Sequence, residues 1–428
     1  MSLMSSALLA GILGCAHARS QAVHADYGFA DYVRDFGRQY SGNELEVRRT
    51  IVEDNFRRIK EHNASPRRLW EASINKFVDR SLVEFQQLMG YDKVQARQRL
   101  EPGVLGTPYS MAPNATLPQW VDWRQKGAIS EVKDQGSCGG CWGFSAAEAI
   151  ESHLALHGGP LLRLAPEEFI ACTPNLEHCG GKGGCSGGTL EQAFNFSMQH
   201  GIVEESSYPF RRGPRRHKCD FTKLSAPRVQ VTGFVRLPSN DAQALMTALA
   251  QQGPLSILVA ATPWQLYDKG IFDGELGMGC GLDINHAVQL VGYGSEDGID
   301  YWLVRNSWGA GWGEGGYIRL LRQPGHESCG LDPAPKDGLC GKSGWVVVVV
   351  VVVDVVVVVV VAVVVVVVDV VVVVAVVVVA AADAATAVYV AVSCKVLLLL
   401  LMLLLLLLQL LLLELLLQLL PADVLAAA

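Results

Sequence analysis

The stretch "QGSCGGCWGFS", residues 135–145, holds two cysteines, Cys138 and Cys141, in C-x-x-C spacing. That spacing serves three chemistries: a redox dithiol, half of a zinc site, or a structural cysteine beside a reactive one. "CGGKGGC", residues 179–185, supplies two more thiols, so four zinc ligands are available on paper. After Cys141, "WGFSAAEAIESHLALHGG" puts Ala146, Ala149, Ile150, His153 and Leu154 on one face of a helix that Gly158 and Gly159 end. Cys141 therefore opens a helix, where the macrodipole favours an anion and a depressed thiol pKa is expected. Both a nucleophile and a redox thiol fit that position.

Two downstream segments separate the readings. "INHAVQLVGYG" places His286 at the start of a short apolar strand, and "YWLVRNSWGAGWGEGGYIRL" places Asn306 at the end of another. Between them, Ser295-Glu296-Asp297-Gly298 carries an Asp-Gly turn signal. An antiparallel hairpin centred near Glu296 makes His286 and Asn306 neighbours, and an Asn side chain can fix an imidazole's tautomer and orientation. Cys141, His286 and Asn306 then form a nucleophile, base and orienter. A zinc or redox site leaves the histidine and asparagine segments unexplained.

The chain that must position these groups has 428 residues, enough for one large or two medium domains. Its net charge of −7 gives no support to nucleic-acid binding. Eleven cysteines point to an oxidising compartment. "ALLAGILG" followed by Ala16-His17-Ala18 reads as a secretory signal with an A-x-A cleavage pattern, residues 1–18. Up to about Pro113 the chain is polar and helical in period; from Leu117 to Gly341 it is rich in Gly, Cys and Trp, and a proline-bearing linker joins the two. In the first region Glu44, Arg48, Val52, Asn55, Ile59 and Asn63 keep one stripe of a long helix, a mixture suited to polar contacts. "INKFVDRSLVEFQQLMG" reads as a short strand and a second helix. The region 345–428 is a low-complexity tail of Val, Ala and Leu. It reads as a translated repeat or dispensable extension, with a membrane anchor and an aggregation-prone strand as the competing readings.

The three blocks "QGSCGGCWGFSA", "NHAVQLVGYG" and "RNSWGAGWGEGGY" resemble, in that order, the active-site segments of papain-like cysteine proteases, and within them a cathepsin L-type proenzyme. The helical stripe resembles the family's inhibitory propeptide, with Val52 where an aromatic is usual; Asn75, Phe77 and Asp79 match a second propeptide motif, with Ser73 in place of Gly. The resemblance implies an α+β papain-like two-domain fold, a helical domain plus a β-barrel-like domain with the cleft between them, preceded by an α-helical inhibitory propeptide at 19–115 and followed to 341 by the catalytic domain at 116–341. It implies that Cys141 is the nucleophile, His286 its base and then acid, Asn306 the orienter, Trp308 the shield of their hydrogen bond, and Gln135 an oxyanion donor. It implies disulfides Cys138–Cys185, Cys172–Cys219 and Cys280–Cys329, leaving Cys179 and Cys340 to pair or stay free. Gly187 and Gly188 resemble the substrate-binding loop. Leu190, Leu258 and Ala287, with Ala334 as floor, imply a pocket for an apolar side chain at the second substrate position before the cut.

The expected activity is a cysteine endopeptidase made as a zymogen and activated in an acidic, lysosome-like compartment of the secretory pathway or outside the cell. It needs no cofactor and no metal, acts on protein or peptide substrates, is inhibited by its own propeptide, and is expected to be a monomer. Gly140 and Gly143 stand where the family more often has Ser and Ala; Gly143 is expected to cost the helix about 0.5–1 kcal/mol. The family's last strand belongs after Cys329, where this chain instead runs into "DPAPKDGLCGKSGW" and valines. If that strand is missing, the second domain does not close, and the alternative is a catalytically silent binding protein or an unprocessed zymogen. "RRGPRRHK", residues 211–218, reads as a solvated basic loop, with an acidic partner or a cleavage site as its other readings.

Overall fold

The computed structural model describes residues 26–92, 107–108, 116–176, 178–213, 217–238, 240–274, 280–323 and 349–352. The expected signal at 1–18, Ala334, Cys329, Cys340 and the tail from 353 onward lie outside the described residues. Among the described residues no helix is long and apolar enough to cross a membrane.

The N-terminal region forms helices α1 (Phe29–Asp35) and α2 (Asn43–Asn63), strand β1 (Trp70–Ala72) and helix α3 (Leu82–Gln86). The mixed stripe of α2 makes the polar contacts its composition implies. Arg48 reaches the Asp79 carbonyl at 2.9 Å and forks onto Glu84 at 2.7 and 2.8 Å. Asn55 donates to the Val78 carbonyl at 2.8 Å, and Asn63 exchanges two hydrogen bonds with the Ala72 backbone. Val52 and Ile59 on the same stripe are buried. The stripe thus satisfies backbone groups of the returning chain at the end of β1 and in the turn around Val78 and Asp79. Asp79 is in turn held by Arg38 and Tyr40.

The second region begins with short strands β2 (Thr107–Pro108) and β3 (Val121–Asp122), then α4 (Cys141–Leu156), α5 (Pro166–Cys172) and α6 (Leu190–His200). After these come β4 (Ile202–Val203), β5 (Arg228–Val229), β6 (Gly233–Arg236), α7 (Ala242–Gln252), β7 (Leu255–Val259), β8 (Tyr267–Phe272), β9 (His286–Glu296), β10 (Ile299–Arg305), β11 (Tyr317–Leu321) and β12 (Val349–Val352). Two main apolar cores result. One lies among α4, α5 and α6; the other joins the sheet to α1, α2 and the chain around Phe77.

Helix α4 is buried from Cys141 to Leu154, which small residues make possible. A Cβ on Gly143 would stand 3.2 Å from Phe169 Cβ and 3.4 Å from the Pro166 carbonyl; one on Gly140 would stand 2.5 Å from Ile170 Cδ1. The two glycines therefore let α5 approach α4, and their propensity cost is spent on packing. The far end of α4 carries a charge inside the protein: Glu151 accepts from Lys133, Ser130 and the Leu164 N–H, with Lys133 and Glu151 both shut from solvent. Lys133→Met is expected to destabilise the fold by about 3–5 kcal/mol, because it leaves a buried carboxylate unpaired; chemical unfolding of the Lys133→Met and Lys133→Met/Glu151→Leu proteins checks this, the double change recovering most of the loss.

The sheet runs β1-β8-β11-β10-β9-β7-β12-β6-β2, with β3 also on β9. The β9–β10 hairpin turns at Asp297 and Gly298, both at positive φ, and pairs Ile299 with Glu296. A bulge between Leu303 and Val304 then shifts the register, so that Arg305 faces Gln289. The N-terminal region donates β1 to the sheet edge, antiparallel to β8. The closing strand is also present: Val349–Val352, from the valine run, pairs with β6 along its length and with Ser256 of β7. The sheet therefore includes four residues of the stretch read from sequence as tail.

Candidate active site

Loop 135–140 and the first turn of α4 bring Gln135 and Cys141 to the junction of the two cores, and β9 and the chain after β10 bring His286 and Asn306. His286 Nε2 lies 2.9 Å from Asn306 Oδ1, and the Trp308 indole stacks on the imidazole at 4.9 Å. The hairpin thus makes His286 and Asn306 neighbours as expected, but the bulge sets Asn306 diagonal to His286 and brings Trp308 over the ring. The residue after the histidine ties this side to the thiol: Ala287 N–H approaches Cys141 Sγ at 3.4 Å. Cys141, His286 and Asn306 are all buried.

Gln135 is locked at both ends of its amide. Its Oε1 accepts from Ser307 Oγ at 2.6 Å, which turns Nε2 toward the Cys138 carbonyl at 2.8 Å and toward the cleft. Ser307 was not found from sequence; its place in the asparagine block was the only signal.

The cleft is filled by the chain that follows α3. The Leu88 carbonyl accepts from Gln135 Nε2 at 2.8 Å. Gly90 N–H points at Cys141 Sγ at 3.2 Å, and the Gly90 carbonyl accepts from Gly188 N–H at 3.1 Å. Tyr91 N–H donates to the Asn285 carbonyl and Asp92 N–H to the Gly180 carbonyl. The Tyr91 side chain belongs to the same buried cluster as Leu190, Leu258 and Ala287, and Leu258 is the register partner of Ala287. Gly187, at φ 96°, keeps its loop close against this strap: a Cβ there would meet the Gly90 carbonyl at 3.0 Å. Phe77 and Phe85 close over Trp308 edge-on. No residue of this strap was singled out from sequence. Gly90, directly after an apolar helix end, was the available clue.

Burial overturns one expectation here. The thiol of Cys141 is pushed up to about 11 by burial, against hydrogen bonds from Ala287 and Gly90, rather than depressed by its helix. Burial likewise lowers His286 to about 4, with only the Asn306 bond opposing it. Both groups are therefore neutral near pH 7 while the strap is in place.

The cysteines answer the C-x-x-C question. Cys138 is joined to Cys185 and Cys172 to Cys219, and Cys141 is the free thiol among the described residues. The redox pairing of Cys138 with Cys141 and the four-thiol site are thereby excluded. Cys179 and Cys280 are in disulfides as well.

Acid acts on the strap's supports in one direction. Hydrogen bonds from Arg48 hold the Glu84 carboxyl down to about 2. Burial lowers His62, whose ring packs tilted against Trp70 and bonds the Trp70 carbonyl at 3.0 Å between Arg68 and Asp273. Each group binds fewer protons folded than unfolded. The support from His62 is thus present above its ordinary 6.5 and lost as pH falls below it, and that from Glu84 is present above 4.5 and lost toward about 2. A His62→Gln chain is expected to begin activating at lower pH than wild type; an unchanged onset in an activation-against-pH series would remove His62 from the trigger.

Residues 117–336 match the papain family cysteine protease profile and residues 29–85 the cathepsin propeptide inhibitor domain (I29). The chain belongs to the papain family of cysteine proteases, as a cysteine endopeptidase with its inhibitory propeptide. It is similar to the probable cysteine protease RD21C of Arabidopsis thaliana, 36% identical over 72% of this chain and 70% of that one. It is similar also to a cathepsin L-like proteinase of Phaedon cochleariae, 33% identical over 71% and 90%. Among solved structures, digestive procathepsin L 3 of Tenebrio molitor larval midgut matches at TM-score 0.59 and 32% identity, covering 76% of this chain and 97% of that one. The recombinant stem bromelain precursor matches at 0.62 and 30%, covering 76% and 98%.

Proposed function

We propose that Cys141 cuts peptide bonds as a thiolate paired with the His286 imidazolium. The thiolate adds to the substrate carbonyl, and the Gln135 side chain and the Cys141 backbone N–H take up the oxyanion. Collapse expels the amine, which leaves with the proton held by His286. Water then hydrolyses the thioester, His286 acting as base. Asn306 orients the imidazole and Trp308 covers their bond. A preorganised oxyanion donor of this kind typically contributes about 10²–10³ in rate.

The observation that carries this reading is the seat of the strap. A carbonyl, that of Leu88, already sits on Gln135 while the next backbone group but one faces the thiol. Gly187 and Gly188 serve as the backbone edge for an extended substrate, and Leu190, Leu258 and Ala287, with Ala334, form the pocket for an apolar side chain second before the cut. Tyr91 among those same residues supports that preference. Cys280 pairs with Cys329 in this reading, the mature enzyme starts near 116, and the zymogen travels the secretory pathway to an acidic compartment or the exterior. The test is to acidify the secreted protein and label it with an epoxide-type thiol probe, Cys141→Ala serving as control. Label on wild type alone is the expected result; no label on wild type overturns the assignment.

A further inference from the structure

The basic loop that the activity leaves unused lies at the seam between propeptide and catalytic domain. There a cleft of about 290 Å³ is lined by Arg38, Lys76 and Arg80 from the propeptide side and by Gly136, Ser137 and Arg212 from the other. The two carboxylates at this place are already taken. Asp79 is held by Arg38 at 3.1 Å and by Tyr40, and Asp134 by Lys76 at 2.9 Å. Among the described residues no ion pair reaches Arg80 or Arg212, while Glu84 nearby is committed to Arg48. Arg80 lies over the Phe77 ring instead. Burial disfavours the charge on both Arg80 and Lys76; Asp79 and Glu84 offset this at Arg80 and Asp134 at Lys76, while Arg38 adds to it at Arg80, and Arg212 and Arg80 add to it at Lys76. The seam thus carries two more cations than anions, drawn from both sides of a joint that must part on activation.

We propose that this cleft binds a tetrahedral oxyanion, a sulfate ester or a phosphate monoester, and that the bound anion clamps the propeptide onto the catalytic domain and slows activation. A guanidinium forks onto two oxygens of such a group, and Arg80 and Arg212 approach it from opposite sides of the seam. A ligand that binds only the closed joint lowers the open population by the factor 1 + [L]/Kd, tenfold at nine times Kd. A sulfated sugar and a free phosphate offer the same chemistry.

The test uses the full proform carrying Cys141→Ala, which needs no protease activity, so its failure is distinct from failure of the catalytic assignment. Thermal unfolding is followed against sodium sulfate, sodium phosphate and a small sulfated sugar, each set against sodium chloride at equal ionic strength. The expected result is a saturable rise in Tm that is lost in both Arg80→Gln and Arg212→Gln, with the stronger arm naming the source. In the active chain, saturating anion should lengthen the half-time of acid activation several-fold, and Arg212→Gln should abolish the delay. Sulfate also stabilises proteins generally by exclusion from their surface. A rise that does not saturate or only equals chloride's, or a saturable rise retained in either arginine variant, overturns the proposal, as does faster activation.

Discussion

A single methyl group at residue 90 is expected to open the cleft without acid. In the Gly90→Ala chain the new Cβ would stand 2.1 Å from the Gly139 carbonyl oxygen, 2.6 Å from its carbon and 2.9 Å from Cys141 Sγ. Two of these are backbone atoms, and Gly139 cannot retreat: its own Cα faces the Cys185 carbonyl so closely that a Cβ there would meet it at 2.6 Å. The strap must therefore lift. Overpacking of this kind costs about 1–3 kcal/mol, which raises the population of open clefts about 5- to 150-fold. The measurement is the rate at which a small thiol reagent modifies Cys141 at neutral pH, before any processing. Modification as slow as in wild type would show that the strap is not what shuts the site.

The larger effect belongs to the thiol itself. Cys141→Ala should lower kcat/KM of the acid-activated protein by at least about 10⁴-fold, since removing the nucleophile of a three-part set costs nearly as much as removing the set. The proform adds a sharper expectation. With the thiol held at about 11 and His286 at about 4, there is no ion pair at pH 7 while the strap is seated. Lifting it rehydrates both groups, so the thiol falls and the imidazole rises until each stabilises the other's charge. Ultraviolet absorbance of the thiolate, followed through activation, should therefore grow from none at neutral pH. A thiolate already present in the intact proform would sink this account.

The sequence carried the hairpin well, because Asp297-Gly298 is a turn that few other residues make and its flanks are short apolar runs in keeping with buried strands. It carried the α2 stripe for a similar reason: charged, amide and aliphatic residues at helical spacing have few uses except satisfying a returning backbone. The bulge opposite Leu303 leaves Val291 of β9 without a partner on β10; Gly292 beside it is a residue type that accompanies bulges, but it does not fix the register, so Trp308 was reached through the family resemblance and its stacking on His286 through the structure. The thiol's pKa was misjudged because a helix end is a local feature, while burial under a strap fifty residues upstream is not. Gly140 and Gly143 looked like small defects in a helix start; only the position of α5, which residue type does not fix, shows what they make room for. The strap itself had no motif beyond a glycine, since main-chain groups make its contacts with the thiol and the loop.

The last strand has a property that follows from its composition. Residues 346–353 are all valine, and β12 draws four of them into the ladder between β6 and β7. In most strands a slip of one residue exchanges the inner and outer faces and is costly. Here a slip within the run only exchanges one valine for another, until Asp354 ends it. The seam is therefore closed by an interchangeable part: the sheet asks only that some four valines be there, and is blind to which.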